Sequence, residues 1–114
     1  MTRPLITIVE TNAWLIACKG VVSDREREEM VNFIASSPLS GVSIGGGVRK
    51  VRIARSGQGK SGGYRVVFLF ADEDVPVFLL TLFAKNEKSN LTQGEQQTII
   101  AAAKAMITDY RRRK

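Results

Sequence analysis

The chain has 114 residues, 44% of them hydrophobic and 25% charged, with a formal net charge of +6. This length supports one packed core, so a single domain over residues 1–114 is expected. It contains no histidine and one cysteine, Cys18, which excludes Ser–His–Asp and Cys–His catalysis, almost every zinc site and any internal disulfide, and fits a reducing cytoplasm.

The opening residues through Val9 carry a short strand-like apolar run that ends at Glu10, and they predict no secretory signal. Leu5 to Val9 reads as a strand, and Thr11 to Cys18 as a short helix with Trp14 and Leu15 facing inward. Ser23-Asp24-Arg25-Glu26 fits a capping box, and Met30, Phe33 and Ile34 recur at helical spacing. An amphipathic helix is therefore expected from Asp24 to about Ser36. Pro38 and the glycines from Gly41 to Gly47 break that pattern. Strand candidates come next at Val48 to Arg55, Gly63 to Ala71 and Val75 to Phe83. Asp72-Glu73-Asp74 is a tight polar turn that should join the last two as an antiparallel hairpin. Thr92 and Glu95 stand at capping-box spacing before a final helix whose apolar stripe is Ile99, Ala103, Met106 and Tyr110, widened by Ile100 and Ile107. The longest apolar run, Val75 to Ala84, is interrupted by Pro76 and Thr81 and is about half a membrane span, so no membrane association is expected. The fold class is α+β, with a small twisted antiparallel sheet, helices on one face and a C-terminal helix.

Between the first two strand candidates lies SGQGKSGG, in which Gly57, Gly59 and Gly62 match GxGxxG and Gly59-Lys60-Ser61 matches the end of a P-loop. The P-loop's first glycine would fall on Ala54, and both motifs need a helix straight afterwards, because its N-terminal amides hold the phosphate. The chain continues instead as Tyr64-Arg65-Val66-Val67-Phe68-Leu69-Phe70, a strand by its β-branched and aromatic content. The glycines read as a connection between strands.

Charge points elsewhere. From Met30 to Ala71 there is no Asp or Glu, yet the stretch carries Arg49, Lys50, Arg52, Arg55, Lys60 and Arg65. The rest of the chain is neutral, with eleven basic and eleven acidic residues. A basic block inside a folded domain suits a polyanion partner, nucleic acid above all; a solvated basic face or a contact for an acidic protein is the plainer explanation. Alternation places Val51 and Ile53 on one strand face and Lys50 and Arg52 on the other, while Arg65 opposes the apolar set Tyr64, Val66, Phe68 and Phe70. Neighbouring strands should then gather Lys50, Arg52 and Arg65 in one exposed patch.

The segment GGVRKVRIARSGQGKSGGYRVVFLF, together with the later VFLLTLFAKNEKSNLTQGE, resembles the RelE/HigB family of bacterial type II toxin–antitoxin toxins, most closely its HigB-like branch. The similarity is close from about Gly46 to Glu95. It implies an mRNA endoribonuclease of the cytoplasm acting on ribosome-bound message, held inactive by a cognate antitoxin, commonly a helix-turn-helix protein that also carries the complex to operator DNA. The implied chemistry uses no metal or other cofactor: the ribose 2′-OH attacks the adjacent phosphate and the 5′-oxygen leaves. Arg65 matches the family's arginine in GYR, and its planar fork suits transition-state phosphate. Lys50 and Arg52 match the paired basic positions of the preceding strand, Lys50 being a candidate base because adjacent positive charge disfavours protonation. Lys85 matches the basic site after the hairpin, as acid or phosphate clamp. Arg49, Arg55, Lys60 and Lys88 are candidate RNA contacts. Some relatives carry a Tyr or His proton donor near the site's C-terminal end, where this chain reads Asn86-Glu87-Lys88-Ser89-Asn90. Tyr64 and Tyr110 are assigned to the core by their parity. Two other functions share some of these features. A ParE-like gyrase poison would have no need of a phosphate-centred cluster, and a non-catalytic RNA-binding module would display aromatic platforms, whereas Phe68, Phe70, Phe78 and Phe83 lie in apolar strands read as core.

Overall fold

The computed structural model describes residues 6–54, 63–84 and 90–113. In chain order the elements are β1 (Ile8–Glu10), α1 (Asn12–Cys18), α2 (Asp24–Ser36), β2 (Val42–Gly45), β3 (Val48–Ile53), β4 (Tyr64–Leu69), β5 (Val77–Ala84) and α3 (Gln93–Arg113). The strands form one mixed sheet in the order β1-β5-β4-β3-β2. β1 runs parallel to β5, and the other neighbours are antiparallel.

Both long helices begin where their capping boxes place them. The Ser23 hydroxyl accepts from the Glu26 amide at 3.1 Å while the Ser23 amide donates to the Glu26 carboxylate at 3.0 Å, and Thr92 and Glu95 repeat the exchange at 3.1 and 2.8 Å. Each box satisfies two amides that a helix start otherwise leaves unpaired. α1 is capped by Thr11, but it buries Trp14 and Cys18, and Leu15 is exposed rather than inward. Residues four apart share a helix face, whereas Leu15 is turned roughly 100° from Trp14.

β4 is the central strand, and its run Val66 to Leu69 is buried on both sides. One sheet face packs against α1 and α2 through Trp14, Cys18, Met30, Ile34, Tyr64 and Phe68. The opposite face packs against α3 through Val48, Val67, Leu69, Leu91 and Ala103, so the C-terminal helix lies across the sheet from the other two. A register shift opposite Val67 and Phe68 leaves Leu80 as an extra residue in β5 and reverses the strand's side-chain parity. β2 falls within the glycine-rich stretch read as a break. Gly46 and Gly47, with φ of 63° and 86°, close a two-residue hairpin between β2 and β3, with the positive φ at both central positions that a type I′ turn requires. β5 starts at Val77 rather than Val75, because the Val75 amide is spent on the Asp72 carbonyl in the turn and Pro76 has no amide to offer the ladder.

Candidate active site

The β3–β4 register pairs Arg52 directly with Arg65 and Lys50 with Val67, and the β4–β5 register pairs Arg65 with Phe83 and Val67 with Thr81. Directly opposed residues of an antiparallel pair project from the same face. Lys50, Arg52 and Arg65 therefore share one face, as alternation predicts, but it is the face that carries α3 rather than one left open by helices gathered on the other side, and Lys50 and Arg65 are half-buried on it. That face has graded rows. Val48, Leu69 and Phe78 form a row beneath α3; next come Lys50, Val67 and Thr81; the last row is Arg52, Arg65 and Phe83, at the open end.

Each cation is held differently. Arg52 is exposed, and it also borders a cleft of about 300 Å³ walled by Met30, Phe33 and Ile53. Arg65 is half-buried; its Nη1 is shielded from solvent and has no hydrogen-bond partner among the described residues. A desolvated donor without an acceptor is costly, so a face that keeps one is suited to receive an anion there. The Lys50 ammonium donates to the Asn90 side-chain oxygen at 2.6 Å, and the same oxygen accepts from the Leu91 amide at 2.9 Å. Local pattern did not reveal Asn90 as a partner, since the contact spans forty positions and no periodicity encodes it.

Arg49 is not brought to the patch. It lies on the other face, opposite Phe68. Its guanidinium donates to the carbonyls of Leu39, Ser40 and Gly41 at 2.8 to 3.2 Å, closing the loop that leads into β2. Arg55, Lys60, Lys85 and Lys88, and the motif glycines Gly57, Gly59 and Gly62, lie outside the described residues. The element directly after that motif is β4, a strand, so the helix required by a phosphate-binding glycine loop is not there.

The aromatic residues take structural positions. Phe68 is fully buried, and Phe70, Phe78 and Phe83 pack against the two clusters. Tyr64 is buried at 2% exposure with its hydroxyl 3.4 Å from the Val21 carbonyl, and Tyr110 sits edge-on to Phe78 with ring centroids 6.5 Å apart. The chemistry this face offers is thus cationic: a planar fork, a second guanidinium beside it and an oriented ammonium, fit to bind a phosphate and stabilise added charge on it.

Comparison with known proteins agrees with this geometry. A solved structure of an arginine-to-alanine double mutant of the E. coli toxin RelE in the free state aligns with a TM-score of 0.55 at 18% identity, covering 75% of this chain and 90% of that one. At such identity the likeness speaks for the fold. A family model described as the RelE toxin of the RelE/RelB toxin–antitoxin system matches residues 15–113, and with that match over nearly the whole chain, the chain belongs to the RelE toxin family.

Proposed function

We propose that this RelE-family toxin, an mRNA endoribonuclease kept in check by an antitoxin partner, cuts ribosome-bound message without a metal ion, by attack of a ribose 2′-OH on the adjacent phosphate. The O2′–P bond forms and the P–O5′ bond breaks. A proton leaves the 2′-OH, and another must reach the departing 5′-oxygen. Arg65 stabilises the charge that gathers on the phosphoryl oxygens, with Arg52 beside it. Lys50 orients or deprotonates the 2′-OH. Lys85 is assigned to the leaving group or the flanking phosphate, and Arg55, Lys60 and Lys88 to the path of the RNA. The setting is the cytoplasm, and the antitoxin is a helix-turn-helix protein that carries the complex to operator DNA. No helix among the described residues is long and apolar enough to cross a membrane.

The observation that carries this reading is the direct cross-strand pairing of Arg52 with Arg65, two residue pairs along from Lys50 and so next to it on the same sheet face. Two directly opposed arginines repel, and an anion bound between them would relieve that repulsion. The test is single-turnover cleavage of message on programmed ribosomes, with the products' ends identified. Internal attack predicts a 2′,3′-cyclic phosphate and a 5′-hydroxyl, and no cleavage when the 2′-OH at the scissile position is replaced by hydrogen. Products with a 5′-phosphate, or cleavage of the 2′-deoxy substrate, would refute the mechanism.

A further inference from the structure

A lysine on the open face of a strand ordinarily keeps its ammonium in water and samples many rotamers, because four rotatable bonds separate it from the backbone. Lys50 departs from that pattern. Its ammonium is docked 2.6 Å from the Asn90 side-chain oxygen, and that oxygen is itself fixed by the Leu91 amide at 2.9 Å. Behind Asn90 the backbone is anchored twice: Leu91 is buried in the α3 cluster at 8% exposure, and Thr92 is locked in its capping box with Glu95. The acceptor that meets Lys50 is therefore positioned by the seating of α3 on the sheet.

The chemical nature of that acceptor matters. A carboxylate here would form an ion pair and neutralise the lysine. An amide oxygen accepts one ammonium hydrogen, leaves the positive charge uncompensated and leaves two further N–H donors for a ligand. We propose that Asn90 is a positioning residue for Lys50: it holds the ammonium in one place over the basic face, without quenching its charge, so that Lys50 meets the reacting phosphate and ribose already oriented. This assignment rests on the endoribonuclease reading, and it adds to it a residue that need not touch the RNA. Preorganisation of this kind acts on the chemical step more than on binding, because the exposed arginines and the other cations still attract the polyanion when one ammonium is loosened.

The experiment compares Asn90→Ala, Asn90→Asp, Lys50→Ala and the Asn90→Ala/Lys50→Ala double variant, measuring single-turnover cleavage on programmed ribosomes, ribosome affinity and thermal melting. NMR order parameters of the Lys50 side chain are measured on the free protein. Asn90→Ala is expected to slow cleavage about tenfold with ribosome affinity and melting nearly unchanged, and to lower the Lys50 order parameter. In the Lys50→Ala background the same substitution should have no further effect, since its target is gone. Asn90→Asp should slow cleavage more than Asn90→Ala, because it replaces a neutral acceptor with one that competes with phosphate for the lysine. Independent, additive losses in the double variant, or an unchanged Lys50 order parameter in Asn90→Ala alongside normal cleavage by the unsubstituted protein, would overturn the role. If the unsubstituted protein does not cleave message, the endoribonuclease reading falls and the role falls with it, even with the Lys50–Asn90 contact confirmed by the order parameters.

Discussion

Replacing Arg65 with methionine should abolish activity and raise stability together. Methionine keeps a long flexible stem against Val67 and Phe83 but removes the guanidinium. Two costs of the native residue then disappear. Opposed like charges on paired strands cost about 0.2–1 kcal/mol, and Arg65 faces Arg52 directly. A buried donor without an acceptor costs about 1–3 kcal/mol, and Nη1 of Arg65 is such a donor. Against these stands an imperfect volume match, of up to about 1.5 kcal/mol. The balance is a gain of about 1 kcal/mol, or about 4 °C in melting temperature for a domain of this size. Part of it should vanish at high salt, where the Arg52–Arg65 repulsion in the native protein is screened. Cleavage should fall by about a hundredfold or more, as it does when one preorganised donor to a developing oxyanion is lost, and Arg65→Lys should recover only part of it because a point charge cannot make two parallel bonds to phosphate. Differential scanning calorimetry at two salt concentrations and single-turnover cleavage supply the readings. A methionine variant that melts several degrees lower would show that the guanidinium is structurally satisfied, and one that cleaves normally would remove Arg65 from the chemistry.

Burial pushes the Cys18 thiol up from 9.0 to about 11, opposed by Arg27 and aided by Glu10. The neutral thiol is thus favoured in the folded state: its contribution is fully present below pH 9.0 and is lost as pH rises toward about 11. Urea titrations across that window should show a shallower loss of stability in Cys18→Ala than in the unsubstituted protein, and equal slopes would contradict the burial. Gly41→Ala should destabilise strongly, by several kcal/mol, since φ is +76° and a Cβ there would stand 2.1 Å from the Lys50 carbonyl oxygen. Because the clash falls on the strand that carries Lys50 and Arg52, the variant should lose cleavage in proportion to its unfolded fraction; a melting temperature within a degree of the parent would refute the close approach.

How much of this was legible in the sequence depended on whether the signal was local. Ser23 with Glu26 and Thr92 with Glu95 mark helix starts by side chains that reach only three residues, and both helices begin there. Strand parity is equally local, so the gathering of Lys50, Arg52 and Arg65 could be read from Val51, Ile53 and the even-numbered residues of β4. The parallel pairing of β1 with β5 is not local, and neither is the extra residue at Leu80. β2 was hidden because its four residues, VSIG, sit among glycines, and its partner β3 supplies the pairing that makes it a strand. Arg49 was readable by the same parity, which sets it with Val51 and Ile53, and its grouping with the RNA contacts followed composition instead. Its charge resembles that of its neighbours in composition, but its position between Val48 and Lys50 turns it to the opposite face, where three backbone carbonyls take its hydrogen bonds.

The placement of α3 explains how one sheet face can be both core and active site. Its stripe needs apolar partners, and the sheet offers them chiefly in the rows of Val48 and Val67; centring the helix on the next row would bring Arg52 and Arg65 under it. Burying two guanidinium groups there, with no acidic partner on the helix stripe, would cost more than the added apolar contact returns. From that row the cluster beneath the helix takes Phe83. The helix's N-terminal approach fixes Asn90, and near its other end Arg111 pairs with Asp72 in the β4–β5 turn. The cations that a phosphate requires thus also set the boundary of the hydrophobic core. Because they stand on paired strands rather than on loops, their spacing is set by the sheet register, and a substitution that shifts that register should harm catalysis before it harms RNA affinity.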